Sequence, residues 1–244
     1  MTERSLQRLY EDPRTPLSSG LERAQLQAAL LAEIAASSPR PLVAVDIGCG
    51  DGTATALAAT RCEQTPGAEI TIIGLDWSCA ALDRARRRGV PVVRAAIDGA
   101  GLPLACGSVD VVIMSELIEH LVDTDAALAE AGRVLVPGGR LLLSTPNLAA
   151  WYNRVLLALG VQPLFTEVSL RSIYGRPGRQ VVGHLRIFTR RALEEILSAA
   201  GFVEINITGA PYHDVPRPFR RLDRLACRAP SLASILLVSA RRPT

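Results

Sequence analysis

Two carboxylates and an imidazole stand close together in the run Ser115-Glu116-Leu117-Ile118-Glu119-His120-Leu121. One turn of helix would put Glu116 beside Glu119 and His120, because residues three and four apart share a helix face. Such a face has two chemical uses. The imidazole can take a proton from a hydroxyl near neutral pH, or the three side chains together can ligate a hard or borderline divalent cation. The spacing supplies no certain fourth protein ligand. The expectation is therefore acid/base or structural use of His120, with His184 as a second candidate base and no divalent metal. Glu116, Glu119 and His120 are the alternative metal set.

A second constellation lies upstream, where residues 42–53 read Leu-Val-Ala-Val-Asp-Ile-Gly-Cys-Gly-Asp-Gly-Thr. A β-branched run broken only by Asp46 gives way to glycines and then to an Ala/Leu-rich helical pattern, which is strand, tight turn and helix. Glycines in such a turn let a ligand lie directly against the main chain at the helix N-terminus. The spacing is Gly-x-Gly-x-Gly. A dinucleotide fingerprint wants its third glycine where Thr53 stands, and a P-loop needs a lysine, of which this chain has none. Asp46 and Asp51 would repel a pyrophosphate and suit a ligand with an ammonium or sulfonium centre.

The segment Val45-Asp46-Ile47-Gly48-Cys49-Gly50-Asp51-Gly52 resembles motif I of the class I S-adenosylmethionine-dependent methyltransferases, and later segments extend the resemblance to about residue 205. It implies an α/β fold: a seven-stranded, mostly parallel Rossmann-like sheet with helices on both faces and an antiparallel last strand. It implies S-adenosylmethionine as cofactor, with Asp46, Gly48, Cys49, Gly50 and Ser115 among the binding positions. Asp76, at the end of the second strand, would take the ribose hydroxyls, and Trp77 would lie against the adenine. Asp98 and Gly99, in the Asp-x-x-x-Leu-Pro segment, would meet the adenine edge. In ubiquinone-biosynthesis O-methyltransferases and small-RNA 2′-O-methyltransferases a Glu-x-x-Glu-His element binds a divalent metal, while in many other relatives the Glu-His pair only orders the loop. His184 to Thr189, as His-x-Arg-x-Phe-Thr, resembles small-molecule enzymes of the quinone and natural-product type. The expected reaction is O-methylation of a small molecule or a lipid- or glycan-type acceptor with an anionic part. N- or C-methylation, and a non-catalytic cofactor-binding partner subunit, are the alternatives.

The elements that must position these groups are legible in outline. Length and composition fit one α/β domain, which the resemblance implies is a single methyltransferase domain over residues 1–244: an N-terminal arm and helix to 40, a cofactor-binding core over 41–147, a substrate-lid insertion over 148–188 and a C-terminal helix with a closing strand pair over 189–244. The helix over 21–36 reads either as a lid on the cofactor or as a cover for a sheet edge. Strands are expected at 43–47, 69–75, 91–97, 109–114 and 140–145, and an antiparallel pair at 202–208 and 234–240. The insertion interleaves Trp151, Tyr152, Phe165 and Tyr174 with leucines and prolines. Arg171, Arg176, Arg179, Arg186, Arg190 and Arg191 follow with no acid between them, which suggests a lid over an anionic acceptor. Arg217, Arg220, Arg221, Arg224 and Arg228 decorate a late Pro-rich stretch with Leu222 and Leu225, compatible with a membrane surface, an acidic partner or plain solvation. A net charge of only +3 gives no reason to expect a nucleic-acid partner. Five unpaired-looking cysteines, no signal-peptide pattern and no membrane-length apolar run point to the cytoplasm.

Overall fold

The computed structural model describes residues 20–97, 101–178 and 181–244. Its strands are β1 (Leu42–Ile47), β2 (Ile70–Asp76), β3 (Val92–Arg94), β4 (Val109–Ser115), β5 (Leu135–Pro146), β6 (Val203–Ala210) and β7 (Ile235–Arg241). They form one sheet in the order β3-β2-β1-β4-β5-β7-β6. Only β7 runs against its neighbours. Strand order reverses between β1 and β4, and the crevice beyond the carboxyl ends of such strands is where open α/β sheets bind ligands. The helices are α1 (Leu21–Ala36), α2 (Thr53–Glu63), α3 (Cys79–Arg87), α4 (Thr124–Val134), α5 (Trp151–Ala158), α6 (Arg190–Ala199) and α7 (Arg220–Ala226).

Side chains alternate across the sheet with the two-residue period of a strand. Ala44, Val111, Ile113 and Leu142 face α1 and α2 in one buried layer. Val45, Val112, Met114, Leu141 and Leu143 face the other way, beneath α4 and α6. The two layers hold the ends of β1, β4 and β5 rigidly, and these are the platform of the site. Among the described residues, no helix is long and apolar enough to cross a membrane.

Four details depart from the sequence expectations. β3 is confined to Val92–Arg94 instead of 91–97: it is the edge strand, pairs on one side only, and its ladder ends where Ala95 N donates to Asp76 O. Pro137-Gly138-Gly139 does not separate α4 from the next strand. β5 starts at Leu135, and those residues are absorbed in a register shift between Val109↔Leu135 and Val111↔Arg140. Residues 148–188 include a helix, α5, that no strong periodic signal announced. On α1, Leu21 and Leu26 point to solvent, while Arg23 and Gln27 lie on the buried face.

Candidate active site

At the end of β1 the chain turns through Gly48, Gly50 and Gly52, all at positive φ. Gly52 is also required by proximity, since a Cβ there would lie 2.7 Å from the Ala85 Cβ of α3. The turn is fastened to β2 by its own amide: Gly50 N donates to Asp76 Oδ2 (2.9 Å), and Ser78 N donates to Asp76 Oδ1 (2.8 Å). Burial raises the Asp76 pKa, opposed by those amide bonds. Each carboxylate oxygen keeps a second lone pair, so Asp76 can still accept two ligand hydroxyls. Asp46 is buried, takes a 2.6 Å bond from Thr55 Oγ1, and has its other oxygen, Oδ1, unbonded. Burial pushes its carboxyl up to about 6, which a cationic ligand beside it would reverse. Asp51, expected to face a ligand, is instead engaged by Arg88 (3.1 Å) and caps the start of α2 through Thr53 N. Cys49 is buried, and Trp77 is half-buried beside Asp76. Asp98 and Gly99 lie outside the described residues.

Beyond β4 the expected helical turn is not there. Glu116 sits at φ 52, and only a single 3-10 turn, Ile118–His120, follows. Glu116 is thereby sent toward α1, where its Oε1 lies 3.9 Å from Arg23 Nε. The grouping of Glu116 with Glu119 and His120 is therefore corrected: the ligand atoms of Glu119, His120 and His184 come within 4.8 Å of one another. The two imidazole centroids are 4.7 Å apart. His120 Nδ1 lies 3.1 Å from Gly183 O and His184 Nδ1 lies 3.0 Å from Phe165 O. A carbonyl only accepts, so each Nδ1 carries the proton and each Nε2 presents a lone pair. Burial holds both imidazoles neutral, pushing His120 down to about 4 and His184, helped by His120, down to about 3. Glu119 is fully buried. Its Oε2 accepts from Thr145 Oγ1 (3.0 Å) and its Oε1 has no hydrogen-bond partner among the described residues. Burial and the neighbouring Glu116 raise its pKa well above the usual carboxylate range.

Backbone bonds bring these groups together across a gap of more than sixty residues in sequence. Leu185 N and Arg186 N donate to Glu119 O, and Arg186 Nη1 donates to Leu121 O. Behind that segment, the Glu167 carboxylate accepts from Val182 N, Gly183 N and His184 N and pairs with Arg176 at 3.3 Å. Arg176, expected to meet an anionic acceptor, has its side chain buried against Glu167 and donates from Nε to Thr166 O, so that it ties the loop to itself. Arg190 and Arg191 pair with Glu194 and Glu195 on α6, and Arg179 lies outside the described residues.

The N-terminal helix closes the same mouth. Ser115 Oγ donates to Gln27 Oε1 (2.7 Å), and Arg23 Nη1 donates to Gln27 Oε1 and to Ser144 Oγ (3.2 Å). Ser115 thus anchors α1 at the end of β4. The helix does not cover a sheet edge: its buried residues pack on the central strands β1, β4 and β5, and Arg23 and Gln27 of its first turns reach the ends of β4 and β5.

A family profile described as a methyltransferase domain matches residues 21–206, and the glycine turn, Asp76 and strands β1 to β5 all fall inside it. The chain belongs to the class I S-adenosylmethionine-dependent methyltransferases. Trans-aconitate 2-methyltransferase of Methylobacterium radiotolerans is 31% identical over 79% of this chain and 68% of its own length. Ubiquinone biosynthesis O-methyltransferase of Brucella anthropi is 27% identical over 76% of this chain and 71% of its own. A protein of transposon Tn4556 from Streptomyces fradiae is 39% identical over a shorter stretch, covering 43% of this chain and 30% of that protein. Among solved structures, a Haloferax volcanii methyltransferase in complex with an activator superposes with a TM-score of 0.63 at 18% identity, over 98% of each chain. A Mesorhizobium loti S-adenosylmethionine-dependent methyltransferase gives 0.58 at 22% identity, covering 90% of this chain and 98% of its own.

For a methyltransferase of this class the cofactor is S-adenosylmethionine, and the crevice at the reversal of strand order is where this fold presents it. Of the residues singled out in the sequence, the structure joins the glycine turn to Asp76 and brings Glu119, His120 and His184 together. The sequence did not single out Arg23, Gln27, Ser144, Thr145 or Glu167. Glu167 lay just upstream of the acid-free arginine run, and its position was the one available signal that those arginines had a partner.

Proposed function

We propose that this methyltransferase transfers the methyl group to an oxygen of a small-molecule acceptor held over Glu119, His120 and His184. The observation that carries the reading is the convergence of two neutral imidazoles and a buried carboxylate beyond the end of β4. Two lone-pair nitrogens and a carboxylate suit a hydroxyl or other oxygen, and carbon is a weaker alternative that would need an acidic, enol- or phenol-activated acceptor. A neutral amine needs no strong base, and nitrogen is accordingly a weaker alternative as well. The relatives named for trans-aconitate and for ubiquinone biosynthesis are consistent with an oxygen acceptor bearing an anionic or amphiphilic part.

The bound cofactor supplies an activated methyl group on a sulfonium. In this reading Asp76 takes the ribose hydroxyls, Asp46 faces the ammonium end, and the backbone at Gly48 and Gly50 lies against the methionine moiety. Trp77 takes the adenine face, and Asp98 and Gly99 its edge. The chain's work at the acceptor is to align the oxygen with the S–CH₃ bond and keep water out, with α1 and the Glu167 loop as walls. His120 Nε2 or His184 Nε2 accepts the hydroxyl's hydrogen bond and its proton. Release of S-adenosylhomocysteine in a metabolite extract, followed by the mass of the methylated product, tests the reading. No release above the extract-free control counts against it.

One observation favours a second version of the same site. The Glu119 Oε1 without a partner, beside two imidazoles whose Nδ1 protons are held by carbonyls, is the arrangement in which histidines ligate a metal. The residues fit a divalent ion with Glu119, His120 and His184 as ligands, and such an ion would acidify a bound hydroxyl, so that no strong base is needed. Activity lost in chelator and restored by Mg²⁺, Mn²⁺ or Zn²⁺ supports this version. Full activity in chelator leaves the imidazoles as the proton acceptors.

A further inference from the structure

The outer surface of α5 and α7 carries an apolar strip rimmed by arginine. Trp151 donates from Nε1 to Asp223 Oδ1 (2.9 Å) and its ring lies 6.1 Å from that of Phe219, which joins the first turn of α5 to α7. Val155 and Leu159 continue the Trp151 side at four-residue steps. Phe219, Leu222 and Leu225 follow along α7 at three-residue steps, and Val155, Leu159 and these three side chains are between 46% and 72% exposed. Asp223 is the inner anchor of α7. It is buried and also accepts from Tyr212 N and Ser234 Oγ, so the outer face is left for something else.

We propose that this strip is a docking surface for an anionic lipid bilayer. Charge complementarity decides the occupant. Arg154, Arg217, Arg220, Arg221, Arg224 and Arg228 rim the apolar side chains, all exposed, whereas the one acid of residues 215–233, Asp223, is buried. The acids nearby are Glu22, which pairs with Arg224, and Asp214 at the margin. Aliphatic and aromatic groups beside a cationic rim are what an interfacial element presents to headgroups. A second copy placed face to face by a two-fold axis would bring the arginines against one another. The surface is also connected to the mouth of the site: the Tyr212 ring, whose amide is held by Asp223, lies 5.0 Å from the Phe165 ring, and Phe165 lies 5.9 Å from His184. Docking there would bring the site entrance to the bilayer and fit an acceptor that partitions into it. The docking itself does not depend on which acceptor atom is methylated.

The test is co-sedimentation of the full chain with phosphatidylglycerol/phosphatidylcholine vesicles and with phosphatidylcholine vesicles alone. Binding is expected to the anionic vesicles and to weaken with added salt. Arg221→Gln with Arg228→Gln should lower the partition coefficient about twenty-five-fold, at about fivefold for each arginine. Leu222→Ser with Leu225→Ser should reduce it as well. Both double variants should keep wild-type affinity for S-adenosylmethionine, which shows them folded. Equal binding to neutral vesicles, no binding, or binding unchanged in the variants would overturn the proposal. So would a wild-type dimer that the serine variant dissociates in sedimentation velocity, because the strip would then belong to a second copy.

Discussion

Asp46 shows how one buried carboxylate can report on the ligand beside it. One of its oxygens accepts from Thr55, the other has no hydrogen-bond partner among the described residues, and burial pushes the carboxyl up to about 6. A ligand carrying an ammonium group favours the ionised form, so binding should strengthen as pH rises through about 6 and weaken below it. At pH 5, about one unit under that value, cofactor affinity is expected to be about tenfold weaker than at pH 7.5. Asp46→Asn should abolish that dependence. Calorimetry at the two pH values checks it, and an affinity flat across them in the wild type would place the ammonium elsewhere. The acidic residues of this crevice were legible in sequence because their type and their place after a strand carry the information. Glu116 was not. Its pairing with Glu119 assumed a helical turn, and a single residue at φ 52 sends its side chain to Arg23 instead. Arg23 itself gave no signal: an arginine among leucines and alanines reads as the solvent side of a helix until the ends of β4 and β5 are known.

The element that shapes the acceptor side is the loop between α5 and α6, which is held from inside by Glu167. That carboxylate accepts from three consecutive amides and from Arg176. Glu167→Ala would strand those donors and leave a buried guanidinium uncompensated, a loss of about 3–5 kcal/mol by comparison with other broken buried pairs. For a chain of this size that is about 6–20 °C in Tm. Because His184 is the third residue of the clamped run, the variant should also raise the KM for the acceptor or lower kcat. Cofactor affinity should hardly change, since Asp46, Gly50 and Asp76 stand on the other side of the β1/β4 reversal. A Tm loss with unchanged acceptor kinetics would make Glu167 a support for the loop alone. The regular elements around it were readable from period and punctuation: Ser78 caps α3, Thr189 caps α6, and Gly89 and Gly201 stop those helices. The loop was unreadable for the opposite reason, because its order comes from side-chain bonds to main-chain amides that follow no period.

At the scale of the whole molecule the crevice is a place where separate parts of the chain are joined, and a ligand there should stabilise all of them at once. The glycine turn is tied to β2 through Asp76, α3 packs on the turn at Gly52, and α1 is fastened to β4 and β5 through Gln27 and Arg23. One continuous sheet then carries any local tightening to both helical layers. A ligand at a hundred times its Kd adds about 2.7 kcal/mol to the folded state, and at about 2–4 °C per kcal/mol for a chain of this size that is a Tm increase of about 5–11 °C. S-adenosylhomocysteine, the product that keeps the ribose and adenine, should give this shift as a single transition. In Asp76→Ala two charge-assisted hydrogen bonds to the ribose are lost, each worth about 1.5–3 kcal/mol. At the lower bound the ligand concentration falls to about 0.6 of the weakened Kd, and the shift shrinks to about 1 °C. The variant also leaves Gly50 N and Ser78 N without their acceptor, so its ligand-free Tm will be lower, and only the ligand-induced difference is diagnostic. A full shift retained in Asp76→Ala would move the ribose away from the end of β2, and with it the orientation of the methyl group toward Glu119, His120 and His184.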